Sequence, residues 1–402
     1  MKRICVLSFT VRIILTLSAV LVNLAWSQQS AGNPSNNWSE FTRTNMHRWN
    51  PYEKTLGVGN VPNLKLKWSY SPGVPVFSSP AELNNVVYFG AYDGNLYAFN
   101  ATTGAKLWSF FTQPGSWIFS SPAVANGVVY FSSVYPGVPG VVYAVNTRTG
   151  TLLWSYPTFN GSYATPTVAN GVVYCGDYGG RLYALNAKTG AELWTYDTGT
   201  QIWDAPAVVN GVVYVGSTNS TLYALNANTG TVLWSLNTGA AIGIQATPAV
   251  ANGVVYIGDD NGKFWALDAS TGAVLWTYMT GGQIYASAAV AGGTIFVGSY
   301  DGYVYAFKAS THSLLWKYLT IGNVAGSPAV ANGVVYVTTQ STSISSDNAL
   351  YALNASTGAL LWSYPISGTQ GSGSPAVANG MVYFASGDIY SFTGSLYAFG
   401  LN

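Results

Sequence analysis

Eight tryptophans, Trp68, Trp108, Trp154, Trp194, Trp234, Trp276, Trp316 and Trp362, recur at spacings of 40, 46, 40, 40, 42, 40 and 46 residues. Such a period marks one supersecondary unit stacked on copies of itself, and it constrains the fold more than any local signal. One unit reads Ser-Pro-Ala-Val-Ala-Asn-Gly-Val-Val-Tyr, a Gly-rich turn, Leu-Tyr-Ala-Leu-Asn-Ala-x-Thr-Gly, then Leu-Trp-Ser-Tyr. It holds four short β-like runs. Asn126-Gly127, Asn170-Gly171 and Asn332-Gly333 separate first run from second and accept the positive φ of a type I′ hairpin. Asp93-Gly94 and Asp301-Gly302 turn the second run into the third, and Thr103-Gly104 and Thr189-Gly190 turn the third into the fourth. Four antiparallel strands per unit predict a β-propeller blade.

The opening motif occurs eight times, around Pro80, Pro122, Pro166, Pro206, Pro248, Ala288, Pro328 and Pro375, but the last unit ends before a Trp strand. A spare Trp strand stands at 64–70. The expected fold is therefore all-β: an eight-bladed propeller of four-stranded antiparallel blades, its ring closed by the N-terminal strand completing the last blade. The chain is 49% apolar and 7% charged, which raises a transmembrane β-barrel as a rival. Barrel strands need about 9–11 residues to cross a bilayer, longer than the runs here. Fifteen basic residues against 14 acidic ones leave no field for nucleic acid.

Lys2, Arg3 and Arg12 precede an apolar stretch from Ile13 to Ala25, and Ala25-Trp26-Ser27 places small residues at a cleavage site. Residues 1–27 read as a signal peptide, with the mature chain starting at Gln28, exported to the periplasm or the extracellular space. Residues 28–63 form a lead-in segment and 64–402 the propeller. No later stretch is apolar enough for a helical span. Cys175 alone then remains, so no internal disulfide is expected. It falls where other units carry Phe89, Phe131, Val215 and Ile257, and reads as a buried structural thiol.

The unit resembles the pyrroloquinoline-quinone (PQQ)-like propeller repeat, whose docking pattern is Ala-x-Asp/Asn-x-x-Thr-Gly-x-x-x-Trp. Ala98, Asn100, Thr103, Gly104 and Trp108 match it, as do Ala184, Asn186, Thr189, Gly190 and Trp194, and Ala266, Asp268, Thr271, Gly272 and Trp276. The sixth unit departs, with Lys308 at the Asn position and His312 at the Gly position. The resemblance implies one of two functions. Quinoprotein dehydrogenases of this family hold PQQ and Ca²⁺ at the propeller centre. The outer-membrane protein assembly lipoprotein type, closer to this chain in size and plainness, is a bare propeller that binds proteins. The adjacent Cys pair and the Cys-x-x-Cys-His haem site found in several of the enzymes are missing, and the mature chain has only four Glu, so no cofactor is expected.

Three residues before the motif proline the blades carry Phe77, Phe119, Tyr163, Trp203, Gln245, Tyr285, Ala325 and Ser372. The next position contains Asp204, the one charge in either ring. Phe77, Phe119, Tyr163, Trp203, Asp204, Gln245 and Tyr285 are the candidate ligand-binding residues: an aromatic collar with one carboxylate at the channel mouth. Asp204 would be the general base if the chain were a dehydrogenase. The competing reading packs the aromatics between blades and gives Asp204 a turn. Asp259-Asp260-Asn261-Gly262 resembles the start of a calcium loop but lacks the downstream Glu, so it reads as a hairpin turn. His47 has no Cys or His partner nearby in sequence, so a surface or packing role is expected and no metal site is assigned. Extra residues gather on the face of the second-to-third strand turns and inter-blade links. The sequence thus points to an exported, monomeric binding or scaffold module for envelope or secreted proteins, engaged through that loop-rich face. The alternatives are a small PQQ-dependent alcohol or sugar dehydrogenase using PQQ and Ca²⁺, or a carbohydrate-binding propeller.

Overall fold

The computed structural model describes residues 36–41, 47–135, 137–341, 348–366 and 373–402. The leader 1–27 and Ser372 lie outside them. In each unit the apolar alternation and the turn pairs produce four antiparallel strands. Blade 1 comprises Ala81–Leu83, Val86–Gly90, Asn95–Asn100 and Lys106–Phe111, in that order from the axis outward. The inner strands of blades 2 to 8 are Ala123–Ala125, Thr167–Ala169, Ala207–Val209, Ala249–Ala251, Ala289–Ala291, Ala329–Ala331 and Ala376–Ala378. The Asn of the Asn-Gly turns takes positive φ, 51° at Asn126, Asn170 and Asn210, as the hairpin requires. The spare strand Lys65–Tyr70 pairs with Thr393–Gly400 and completes blade 8. The eight-bladed ring is thus closed as the sequence predicts.

Adjacent blades are joined by the docking motif. Trp68 Nε1 donates to the carbonyl of Ala101 at 3.0 Å, Trp194 to Ala227 at 2.9 Å, and Trp108, Trp154, Trp234 and Trp316 do the same at their own boundaries. The Thr-Gly glycine is required here twice over. At Gly104 φ is +69°, and a Cβ would stand 2.6 Å from the Trp68 ring. The sixth blade solves the same problem differently. His312 adopts φ 57° and lays its imidazole parallel to Trp276, with ring centroids 5.0 Å apart. The core is therefore distributed between blades: Val173, Cys175, Tyr183 and Leu185 of blade 3, for example, pack on Tyr130, Val142 and Ala144 of blade 2. Cys175 is fully buried there, and burial pushes its thiol up to about 12.

The lead-in segment carries no repeat, and its described residues, 36–41 and 47–63, pack along the inner strands. Trp38 exchanges backbone hydrogen bonds with Glu82 on the inner strand of blade 1. The carbonyl of Ser39 accepts from Val124 N of blade 2, and the Glu40 carboxylate from Val168 N of blade 3. His47 Nε2 bonds the carbonyl of Val250 in blade 5 at 2.7 Å, and the His47 carbonyl accepts from Val290 N of blade 6. Trp49–Asn50 adds a parallel strand to Ala329–Ala331 of blade 7, and Asn50 Nδ2 donates to the carbonyl of Val377 in blade 8. The described residues of the segment thus touch seven blades in order, before Val61–Asn63 leads the chain to the blade 8 edge. His47 has a packing role inside the channel, not a surface one.

Candidate functional site

The collar face is built from the links between blades and the turns between second and third strands. Each link places its candidate residue just outside the inner strand. Phe77 and Phe119 stack at 5.8 Å with 8° between planes, Phe119 meets Tyr163 at 5.0 Å, and Tyr163 meets Trp203 at 5.3 Å. All four are half-buried. Turn residues interleave with them: Tyr92 packs against both Phe77 and Phe119, and Tyr178 against both Tyr163 and Trp203. Four of the predicted residues therefore form one continuous aromatic arc over blades 1 to 4. The packing and the collar readings describe the same contacts, because neighbouring blades meet through these rings.

Gln245 and Tyr285 stand apart from that arc. Gln245 Nε2 donates to Asp260 Oδ2 at 2.9 Å, and Tyr285 meets Tyr300 edge-on at 4.7 Å. Over blades 5 to 7 the mouth is thus lined by amides and phenols, Gln245, Gln340, Tyr285 and Tyr300, with the acid Asp260 buried behind Gln245. Gln340 Nε2 donates to the Tyr300 hydroxyl at 2.7 Å. Between the two arcs opens a cleft of about 560 Å³ lined by Tyr178, Gln201, Trp203, Thr218, Ile242 and Gln245.

Asp204 is engaged across a blade boundary. Its Oδ1 accepts from Ala205 N at 2.8 Å and its Oδ2 from Thr247 N at 3.1 Å. Burial raises its pKa, against the pull of these hydrogen bonds and of Arg48. Arg48 sits on the lead-in segment, fully buried. It donates to the carbonyls of Pro328 and Pro375 at 2.9 Å each and to that of Phe41, with its guanidinium over the Trp38 and Phe41 rings. Burial works against the Arg48 charge, and Asp204 works for it.

Directly below Asp204 runs a ring of hydroxyls. Ser79 N donates to Ser121 Oγ, Ser121 N to Thr165 Oγ1, Ala205 N to Thr247 Oγ1, Thr247 N to Ser287 Oγ, Ser287 N to Ser327 Oγ, Ser327 N to Ser374 Oγ, and Ser374 N back to Ser79 Oγ, at 2.8–3.1 Å. Only the link from Thr165 to blade 4 lacks its hydroxyl, because that position is Ala205. The column before the motif proline, next to that of Asp204, carries this signal in the sequence. The same holds for Tyr92, Tyr178 and Asp260, which share one column of the second-to-third strand turns.

The resemblance implies PQQ and Ca²⁺ at this end of the channel, and the donor set does not fit the Ca²⁺. Calcium takes six to eight oxygens. Both Asp204 oxygens already accept backbone amides, and no three His, Cys, Asp or Glu side chains converge among the described residues. Asp259, which opens the calcium-like tetrapeptide, caps its own hairpin. Its Oδ1 accepts from Asn261 N and Lys263 N, and its Oδ2 from Trp265 Nε1.

Comparison with known proteins agrees with this architecture. The structure is similar to a europium-containing methanol dehydrogenase, with a TM-score of 0.76, 16% identity and coverage of 92% of this chain and 99% of that one. It is also similar to BamB from Moraxella catarrhalis, with a TM-score of 0.67, 19% identity and coverage of 83% and 97%. At these identities the likeness is one of fold. A 59-residue stretch is 42% identical to the dehydrogenase subunit of the quinone alcohol dehydrogenase of Gluconobacter oxydans (strain 621H), spanning 12% of this chain and 8% of that protein. The family model described as outer membrane protein assembly factor BamB matches residues 63–135, 111–203, 138–284 and 279–399. With the repeat matched along nearly the whole ring, the chain belongs to this family of PQQ-like propellers.

Proposed function

We propose that the protein is an exported binding module that docks envelope or secreted proteins on its collar face. The observation that carries this reading is where its large apolar side chains are exposed. The five most exposed, Tyr390 at 75%, Ile321 at 69%, Phe159 at 68%, Met279 at 59% and Leu319 at 58%, all lie on the collar side, at the ends of outer strands, in links or in the long turn of blade 8. The opposite end carries a less exposed set, Leu107, Leu153, Leu193, Leu233 and Leu275 at 50–51% where the outer strands begin, with Tyr52 of the lead-in segment at 45%. Clustered exposed apolar side chains mark interaction surfaces. The half-buried aromatic arc extends the patch inward, supplying rigid amphipathic contact area of the kind enriched in interface hot spots. Membership in a family described by outer-membrane protein assembly supports the same reading.

The test is site-specific photo-crosslinking in cells, with the crosslinker at Ile321, Tyr390 or Tyr52. Discrete adducts from Ile321 and Tyr390 but not Tyr52 are expected. Equal crosslinking from all three would overturn the proposal. N-terminal sequencing of the same preparation should find Gln28 first. Titration with PQQ and Ca²⁺, followed by dye reduction on an alcohol panel, decides the dehydrogenase alternative, and turnover would displace the binding reading.

A further inference from the structure

Asp260 differs from every other acid in the channel. It is only 5% exposed, yet its Oδ1 has no hydrogen-bond partner. Its Oδ2 is held by the neutral amide of Gln245 alone. Among the described residues, the groups acting on it electrostatically are Asp259, Tyr285 and Tyr300, none of them cationic. The nearest lysine in sequence, Lys263, lays its ammonium over the Trp265 ring, 3.9 Å from the centroid. A buried carboxylate oxygen left unpaired carries a desolvation cost that a charged donor would relieve. Asp204, by contrast, has two amide donors and a buried guanidinium acting on it.

We propose that the Asp260 carboxylate recognises a basic side chain, an alkylammonium or guanidinium group, on the polypeptide that docks on the collar face. This rests on the docking reading and names the partner's chemistry. The carboxylate lies one side chain behind the cleft wall, because Gln245 both lines the cleft and bonds Oδ2. A long basic side chain reaches it by displacing the Gln245 amide, exchanging a neutral hydrogen bond for a charge-assisted one. Trp203, Tyr178 and Ile242 flank the path, and such faces accept an aliphatic stem and a cation above a ring. A divalent metal is the poorer match. Asp259, the adjacent acid, has both oxygens committed to its own turn.

The test uses the full-length chain and two probes. Capped octapeptide pools, otherwise random, carry Lys, Arg, norleucine or Glu at one fixed central position. The Lys and Arg pools should bind at least tenfold more tightly than the norleucine pool, and Asp260→Asn should erase the difference while Asp268→Asn, the same change of charge at the opposite end of the blade, preserves it. Equal binding of the Lys and norleucine pools, or a Lys preference that survives Asp260→Asn, would overturn the proposal. In parallel, n-butylammonium is titrated into protein with ¹³C-labelled Asp carboxyls, with n-butanol as control. A saturable shift of the Asp260 resonance with the amine alone is expected, and its absence would overturn the cation site. A butylammonium response without binding of any pool would support that site and overturn the docking reading, so the two fail separately.

Discussion

The two ends of the channel are made from the same eight strands and have opposite characters. Along the inner strands and at the Asn-Gly end the described lead-in residues pack into the ring, and their polar groups are matched: Arg48 to three carbonyls, Asn50 to Val377, Glu53 to the amides of Thr55, Leu56 and Gly380. At the collar end the rings are half-exposed, an acid oxygen is unpaired, and the most exposed apolar side chains gather. One end is optimised for stability. The other keeps unsatisfied surface, which is what a binding site requires and a stable fold avoids.

Substitutions should therefore act with opposite signs at the two ends. The largest effect is expected at Arg48. Arg48→Ala strands three buried carbonyls and removes the cation that favours ionised Asp204, so urea unfolding should show a loss of about 3–5 kcal/mol. A loss below about 1 kcal/mol would mean that the lead-in segment contributes little. Next is Glu40, whose carboxyl burial pushes up to about 7. Its folded value lies above its unfolded one, so the native state keeps a proton that the unfolded chain releases. The stability this provides is full below about pH 4.5 and is lost as pH rises through about 7. Urea unfolding should lose roughly 3 kcal/mol over that window, and Glu40→Gln should flatten this part of the profile. A profile unchanged by the substitution would remove Glu40 as its source.

At the collar the sign reverses. Burial raises Asp260 to about 6, so its ionised form is a liability to the fold at pH 8. Asp260→Asn should stabilise the protein by roughly 1–2 kcal/mol while abolishing the preference for basic peptides. Destabilisation would mean that the carboxylate is part of the scaffold. The smallest effect on stability belongs to Ile321→Asp, within about 0.5 kcal/mol by thermal unfolding, because the side chain is 69% exposed. A larger loss would move Ile321 from the docking surface to the scaffold.

The ring was legible because one signal is repeated eight times. The Trp period, the Asn-Gly and Thr-Gly turns and the spare strand at 64–70 each fix part of it, and the His312 exception keeps its turn by adopting the positive φ itself. The lead-in packing was not legible, for a physical reason. Ser39, Arg48 and Asn50 bond mainly to main-chain groups of the inner strands, and main-chain groups leave no trace in side-chain identity. The collar falls between these cases. Four of its aromatics emerged from aligning one column. The hydroxyl ring and Asp260 needed the neighbouring columns, where Ala205 among hydroxyls and an acid among Tyr92, Tyr178 and Tyr300 are the irregularities.

The pairing of Lys65–Tyr70 with Thr393–Gly400 also sets an order of assembly. The strand Lys65–Tyr70 precedes all eight repeats in the chain, yet its partner Thr393–Gly400 belongs to the eighth. Most blade-to-blade contacts can form as the chain lengthens, because each joins neighbours in sequence. Closure cannot, since it spans more than 300 residues and waits for the final strand. A chain lacking the strand Thr393–Gly400 would keep seven nearly native blades and lose the seam, because Lys65–Tyr70 pairs with that strand alone among the described ones. That is a sharp checkpoint for completeness in a molecule whose repeats would otherwise tolerate truncation.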